Sequence, residues 1–127
     1  MIIFMPDYIV TDTETGGVYP AIHALLSIGA CCSWSGEYYL AHITEDSQPG
    51  KTVCAEAAAK NGYTREKWEK LGARALDVVM PEFLAWITTR KEERAEAKLV
   101  CHNLAFDRSF FMEAERVTQA SDRKSVV

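Results

Sequence analysis

The sequence predicts an α/β fold whose sheet begins with an antiparallel hairpin. Runs of β-branched and apolar residues, typical of strands, come first, over Asp7–Asp12, Ala24–Cys32 and Glu37–Ile43. Stretches with helical periodicity follow between residues 55 and 90. A short apolar strand and a last helix complete the coarse order β-β-β-α-α-β-α, which is an α/β arrangement.

The hairpin is predicted from its turn. Trp34-Ser35-Gly36 separates the long apolar run that ends at Cys32 from the strand that begins at Glu37. Small and glycine residues between two such runs are typical of a connection between antiparallel neighbours. The first strand ends in the acidic residue Asp12, and a breaker segment, 15–20, follows it.

Two short helices are predicted next from their ends. Ala55–Lys60 is rich in alanine, and Asn61-Gly62 suits a C-terminal cap. Thr64 can cap the second helix, which runs through Lys70.

A longer helix is predicted from apolar residues spaced three and four apart, which form one stripe: Leu76, Val79, Met80, Phe83, Leu84 and Ile87. Pro81 predicts that this helix either kinks or begins near Asp77. The charged segment Lys91–Lys98 should be solvated. Lys98–Cys101 then predicts a brief strand, and a last helix should run from about Leu104 to Val117.

Length and charge limit the function classes. The 127 residues fit one domain, which we expect to span residues 1–127. A net charge of −4 argues against a chain that coats nucleic acid by bulk electrostatics. An enzyme that meets phosphate through bound cations remains compatible with that charge, because metal ions supply positive charge locally.

The sequence predicts neither a membrane span nor a signal peptide, and we expect a cytoplasmic protein. No apolar run approaches the roughly 20 residues that a spanning helix needs. The apolar start, Met1–Met5, is short and has no basic flank. The four cysteines form no C-x-x-C pair and are interpreted as buried free thiols in a reducing compartment, not as a zinc or disulfide site: Cys31, Cys32, Cys54 and Cys101.

Asp12-Thr13-Glu14 is the first candidate site. Residues two apart on a strand share a face, so Asp12 and Glu14 can direct two carboxylates at one point, while Thr13 faces away. Two hard oxygen donors at a strand end suit Mg²⁺ or Mn²⁺. A solvated strand end explains the same two acids when they are taken alone.

The second candidate site lies where the last strand meets the last helix, in His102-Asn103-Leu104-Ala105-Phe106-Asp107. Asp107 falls in the first turn of the helix, where free amides stabilise an anion. Asp107 can therefore serve a ligand, or it can simply neutralise the helix start.

Together these segments resemble the DnaQ-like (DEDD) 3′–5′ exonuclease superfamily, which includes ribonuclease T and the proofreading subunit of DNA polymerase III. Its D-x-E-T-G motif is matched by residues 12–16, and its H-N-x-x-F-D motif by residues 102–107. The I-G-A-like strand end at Ile28-Gly29-Ala30 and the segment Asn61-Gly62-Tyr63-Thr64 also match.

The resemblance implies an RNase H-like mixed sheet with an antiparallel hairpin, a parallel strand and flanking helices. It also implies that Asp12, Glu14 and Asp107 are catalytic and bind two Mg²⁺ or Mn²⁺ ions. Thr15 and Gly16 would position the terminal sugar through their amides, and His102 and Asn103 would orient the second motif or contact substrate. The implied partner is the 3′ end of single-stranded DNA or RNA, which would be shortened one nucleoside 5′-monophosphate at a time.

The family's third motif, H-x-x-x-x-D or Y-x-x-x-D, is not matched. The residues after Asp107 hold one aspartate, Asp122, and neither histidine nor tyrosine. The domain is therefore expected to be incomplete at its C-terminus, to be weak or inactive, and to expose the edge of the strand Lys98–Cys101, where a homodimer could form. Three hypotheses stay open: a fragment of an active exonuclease, a non-catalytic metal- or nucleic-acid-binding form, and a partner-binding remnant.

Overall fold

The computed structural model describes residues 6–118, and its sheet has four strands in the order β3-β2-β1-β4. Neighbours β1–β2 and β2–β3 are antiparallel, and β4 is parallel to β1. The strands are β1 Tyr8–Thr15, β2 Leu25–Cys32, β3 Tyr38–His42 and β4 Lys98–Val100. The predicted hairpin and the parallel strand are confirmed, but β1 continues past Asp12 as far as Thr15. Met1–Met5 and Asp122 lie outside the described residues.

The helices are α1 Ala55–Asn61, α2 Arg65–Lys70, α3 Leu76–Glu93 and α4 Leu104–Val117. Three helices therefore separate β3 from β4, in agreement with the three predicted helical segments, although the coarse order β-β-β-α-α-β-α contains only two helices there. Gly62 ends α1 with a φ of 69°, and the Thr64 hydroxyl begins α2 by accepting the Lys67 N–H at 3.0 Å. Both predicted caps are confirmed. No helix within residues 6–118 is long and apolar enough to cross a membrane.

Helix α3 begins at Leu76 and continues through Pro81. The start agrees with the predicted beginning near Asp77. Because proline has no N–H, the carbonyl of Asp77, four residues earlier, loses its helical partner. Asp77 is exposed, so water can reach that carbonyl.

The core lies between one face of the sheet and helices α3 and α4. Strand residues that alternate along β1 and β2, such as Ile9 and Ile28, are fully buried there. Phe83 is at the centre: its ring lies 5.4 Å from that of Tyr39 and 5.3 Å from that of Phe111. The predicted stripe of α3 is confirmed as the packing face, since Leu76, Val79, Met80, Phe83 and Ile87 are buried and Leu84 packs against them.

The opposite face of the sheet is open near its middle. Strand pairing places Tyr38, Cys31, Val10 and Val100 side by side across all four strands, and each is exposed. The expectation that the cysteines are buried is therefore wrong for Cys31, because strand alternation turns it away from buried Cys32. It is also wrong for exposed Cys54.

Helix α4 is tied to the preceding loops by a charged cluster. The Lys51 ammonium contacts the Glu113 carboxylate at 2.6 Å and donates to the Pro20 carbonyl at 2.8 Å. Arg116 donates to the same carboxylate from the next turn, with Nε 2.5 Å from Oε1. The hydrogen bond from Arg116, followed by those from Lys51, lowers the pKa of Glu113 to about 2.

This cluster predicts a pH-dependent stability. Because the folded pKa of Glu113 lies below its ordinary value of 4.5, its contribution is present above pH 4.5 and is lost as the pH falls toward about 2. Glu113→Gln should therefore lower the free energy of unfolding at about pH 6. The decrease should be smaller at about pH 3, and urea denaturation measures both values. An equal difference between wild type and variant at both pH values would contradict this role.

Candidate active site

Strand β1 carries the first two carboxylates on the open side of the sheet. Asp12 pairs with Gly29 and Glu14 with Ser27, so the two acids share a face as predicted. Gly29 presents no side chain beside Asp12, and Asp12 is exposed. The carboxylate of Asp12 is therefore accessible to a ligand.

Thr13 faces the other side of β1, and there it meets the second motif. Its hydroxyl donates to Asp107 Oδ1 at 2.6 Å. Asp107 lies in the first turn of α4 and is only 5% exposed. Asn103 begins that helix by accepting the Phe106 N–H at 3.2 Å, which agrees with its predicted role in orienting the motif.

One cavity of about 600 Å³ surrounds the end of β1 and is lined by all three predicted carboxylates, Asp12, Glu14 and Asp107. Thr15, His102 and Asn103 also line it. The arrangement keeps the two motifs at one site although they are separated by most of the chain. Within residues 6–118, however, no three histidine, cysteine or acidic side chains are grouped closely enough to hold a metal ion.

The carboxylates that line the cavity supply part of the ligand set that a hard divalent cation needs. Mg²⁺ commonly binds through one or two carboxylates and completes its shell with waters and substrate phosphates. Asp12 and Glu14 can supply such a pair from one face of β1. Asp107 lines the same cavity, but one of its oxygens is engaged by Thr13.

Gly16 is required for close packing. A Cβ atom there would lie 2.5 Å from the Thr52 carbonyl oxygen, so a larger residue would push the two segments apart. Its N–H donates to the Ala24 carbonyl at 2.8 Å, and its carbonyl accepts from Cys54. The fold already uses the Gly16 amide, and the contact of this amide with a sugar stays a prediction. Buried Thr15 lines the cavity, and its hydroxyl donates to the Gly17 carbonyl at 2.7 Å.

Asn61 links the C-terminal end of α1 to the first motif. Its side-chain amide donates to the Thr15 carbonyl at 2.8 Å. The segment 61–64 therefore holds the end of β1 in place in addition to capping a helix. Lys60, one residue earlier, and Glu56, one turn before it, also line the cavity.

His23 is a cavity residue that the sequence did not reveal. Its ring lies where a Cβ on Gly17 would be, and its Nδ1 accepts the Tyr19 N–H at 3.1 Å. Local contacts with Gly17 and Tyr19 and a long-range bridge to Thr52 place it beside the first motif. His23 belongs to no sequence motif, so the pattern alone did not single it out.

Cys101, between β4 and the second motif, is a packing residue and not a nucleophile. Burial raises its pKa above the ordinary value of 9.0, although a hydrogen bond with Thr11 opposes the shift. The nearby carboxylates of Asp107 and Asp12 raise the pKa further. The thiol therefore stays protonated near neutral pH, with its sulfur 2.8 Å from Thr11 Oγ1.

Comparison with known proteins supports the class that the fold and site define. No protein-family model matches the sequence. The 3′-5′ DNA exonuclease Cap18 of Escherichia coli is 33% identical over 107 residues, covering 81% of this chain and 54% of Cap18. DNA polymerase III PolC-type of Thermotoga maritima is 27% identical over 103 residues, covering 81% of this chain and 7% of the polymerase. The chain thus spans about half the length of Cap18.

Solved structures agree on the fold. E. coli exonuclease I in complex with a dT13 oligonucleotide superposes with a TM-score of 0.70 at 15% identity, over 90% of this chain and 24% of that one. The metal-free E. coli exonuclease I complex with single-stranded DNA gives 0.72 at 14% identity, with the same coverage. The fold is RNase H-like. The similarity to Cap18 confirms the resemblance of this chain to the DnaQ-like 3′–5′ exonuclease superfamily.

Proposed function

We propose that this chain acts on the 3′ end of single-stranded DNA or RNA as a 3′–5′ exonuclease. The observation that carries the proposal is the cavity at the end of β1, which brings Asp12, Glu14 and Asp107 to one place. The names of the relatives support it: Cap18 is a 3′-5′ DNA exonuclease, and E. coli exonuclease I has been solved with single-stranded DNA.

Asp12 and Glu14 would hold Mg²⁺ or Mn²⁺ on the open face of β1, and Asp107 would support a second ion through its remaining oxygen or through water. When bound, two such ions activate water and stabilise the leaving oxygen of an in-line displacement. Asn61 would keep the end of β1 in position through the Thr15 carbonyl. Exposed His102 lies at the same cavity, where it can contact the substrate.

We propose that turnover by this chain alone is slow. Residues 108–127 contain neither histidine nor tyrosine, so the sequence does not supply the base of the family's third motif. A positioned general base contributes typically about 10²- to 10⁴-fold in rate. Metal binding should therefore be easier to detect than hydrolysis.

The direct test is incubation of the chain with Mn²⁺ and 5′-labelled single strands of DNA and of RNA. Stepwise shortening from the 3′ end supports the proposed activity, and the preferred strand identifies the sugar. Mn²⁺ binding without shortening would favour a non-catalytic binding form. Absence of both binding and shortening would refute the proposal.

Lys60 is expected to contact a phosphate of the bound strand. It is the one lysine or arginine among the described residues that line the cavity, and its ammonium has no ion-pair partner within residues 6–118. Replacement of Lys60 by glutamine should weaken single-strand binding roughly five- to tenfold at about 50 mM salt and reduce the salt slope by about 0.7. Fluorescence anisotropy with Ca²⁺ in place of Mn²⁺ measures both quantities.

The matched controls for this prediction are Lys60→Arg, which keeps the charge, and Lys70→Gln, which removes an exposed lysine at the end of α2, away from the cavity. Both should bind like wild type. An equal loss for Lys60→Gln and Lys70→Gln would mean that only net charge matters.

A second candidate function is self-association through the sheet. The exposed row Tyr38, Cys31, Val10 and Val100 lies on the open face, and β4 has no outer strand partner within residues 6–118. Open edges and apolar patches favour pairing with another chain. Sedimentation equilibrium of wild type and Val10→Lys would test it: a dimer that the variant abolishes supports this function, and a monomeric wild type rejects it.

A further inference from the structure

We propose that Thr13 is a positioning residue that fixes the carboxylate of Asp107 at the cation site. The inference rests on the proposed function. Thr13 lies between the two acids of the first motif and lines the same cavity, yet its hydroxyl bonds a residue that is far away in sequence. Its hydroxyl donates to Asp107 Oδ1, 94 positions further along the chain, at 2.6 Å.

Successive side chains of β1 point to opposite faces of the sheet, and the two faces have different contacts. Asp12 and Glu14 face the open side, where they can meet a ligand. Thr11 and Thr13 face the helices, where their hydroxyls contact Cys101 and Asp107. The first face would bind the ion, and the second face attaches the segment that carries the third carboxylate.

Asp107 needs such an attachment. It is 5% exposed, and a buried carboxylate without hydrogen-bond donors is costly. The strand that precedes it, β4, spans only Lys98–Val100 and pairs with β1 at Tyr8–Val10, well before the motif. The Thr13 hydroxyl therefore forms a direct hydrogen bond between the first motif and Asp107 that helps to set where this carboxylate lies relative to Asp12.

The hydrogen bond also limits what Asp107 can offer. Because Oδ1 accepts from Thr13, an ion or its water would share the Asp107 carboxylate with that hydrogen bond. Asp107 would thus act as a single-oxygen or water-mediated ligand, while Asp12 and Glu14 provide the direct pair.

The test measures Mn²⁺ affinity by isothermal titration calorimetry of the full 127-residue chain. Replacing Thr13 by valine keeps the shape and removes the hydroxyl, and it should weaken Mn²⁺ binding about 10- to 100-fold, as loss of a residue that orients a ligand does. Replacing Thr13 by serine restores the donor and should bind within about twofold of wild type. If the valine variant does not fold, Thr13→Ala provides the same comparison.

A double-mutant cycle separates positioning from general damage to the fold. In an Asp107→Ala background, Thr13→Val should change Mn²⁺ affinity less than about twofold, because the group through which Thr13 acts is gone. An equal loss in both backgrounds, or unchanged binding by Thr13→Val alone, would overturn the inference and leave the proposed function standing. A wild-type chain that does not bind Mn²⁺ would remove both.

Discussion

Replacing Asp12 by asparagine is expected to produce the largest functional loss of any single substitution. Asp12 is the exposed carboxylate beside Gly29, and the amide keeps its shape while removing the charge that a divalent ion needs. Loss of several kcal/mol of transition-state stabilisation corresponds to a rate on the order of 10³-fold lower. Mn²⁺ calorimetry and the 3′-end shortening assay measure the two consequences, and Mn²⁺ affinity should fall in parallel.

The matched control is Asp77→Asn, which removes an exposed carboxylate from the first turn of α3, outside the cavity. It should leave both Mn²⁺ affinity and shortening unchanged. Since Asp12 is exposed, Asp12→Asn should also keep the thermal midpoint close to that of wild type. Normal Mn²⁺ binding by the Asp12 variant would exclude this residue as a ligand and, with it, the cation site on β1.

Replacing Phe83 by alanine is expected to cause the largest loss of stability. Phe83 is fully buried, and its ring contacts those of Tyr39 and Phe111 between α3 and the sheet. Removal of a buried phenyl ring costs about 3–5 kcal/mol, from lost burial together with the cavity that remains. Because small domains have about 5–15 kcal/mol of total stability, the variant should be close to unfolding. Urea denaturation followed by circular dichroism measures the change.

Val78→Ala is the control on the same helix, because Val78 is 51% exposed and points away from the core. Its cost should stay within about 0.5 kcal/mol. Similar losses for Phe83→Ala and Val78→Ala would contradict the assigned packing face of α3. The two variants therefore test the predicted stripe independently of the active site.

Stability and activity should respond to different substitutions. The core lies on the helix side of the sheet, whereas Asp12 and Glu14 lie on the open side. Thr13 and Asp107 connect the two sides, because their hydrogen bond lies on the helix face and both residues line the cavity. Substitutions at these two positions should affect both properties, whereas those at Asp12 should lower metal binding and activity and leave stability unchanged.

The sequence alone determined the local structure and the family. Strand alternation, the Thr64 cap and the Gly62 helix end depend on interactions between residues a few positions apart. These features can therefore be predicted from a short stretch of sequence. For the same reason the shared face of Asp12 and Glu14 was predictable. The D-x-E-T-G and H-N-x-x-F-D segments indicated the family through resemblance, and the similarity to Cap18 confirmed that resemblance.

Only the tertiary structure decided which residues meet. Thr13 was predicted to face away from the acids, and the fold shows that Asp107 lies on that other side. His23 bridges to Thr52, and the Gly16 amide donates to Ala24. The contact between Thr13 and Asp107 and the bridge from His23 to Thr52 depend on strand register and on the closure of long loops, which no local pattern encodes.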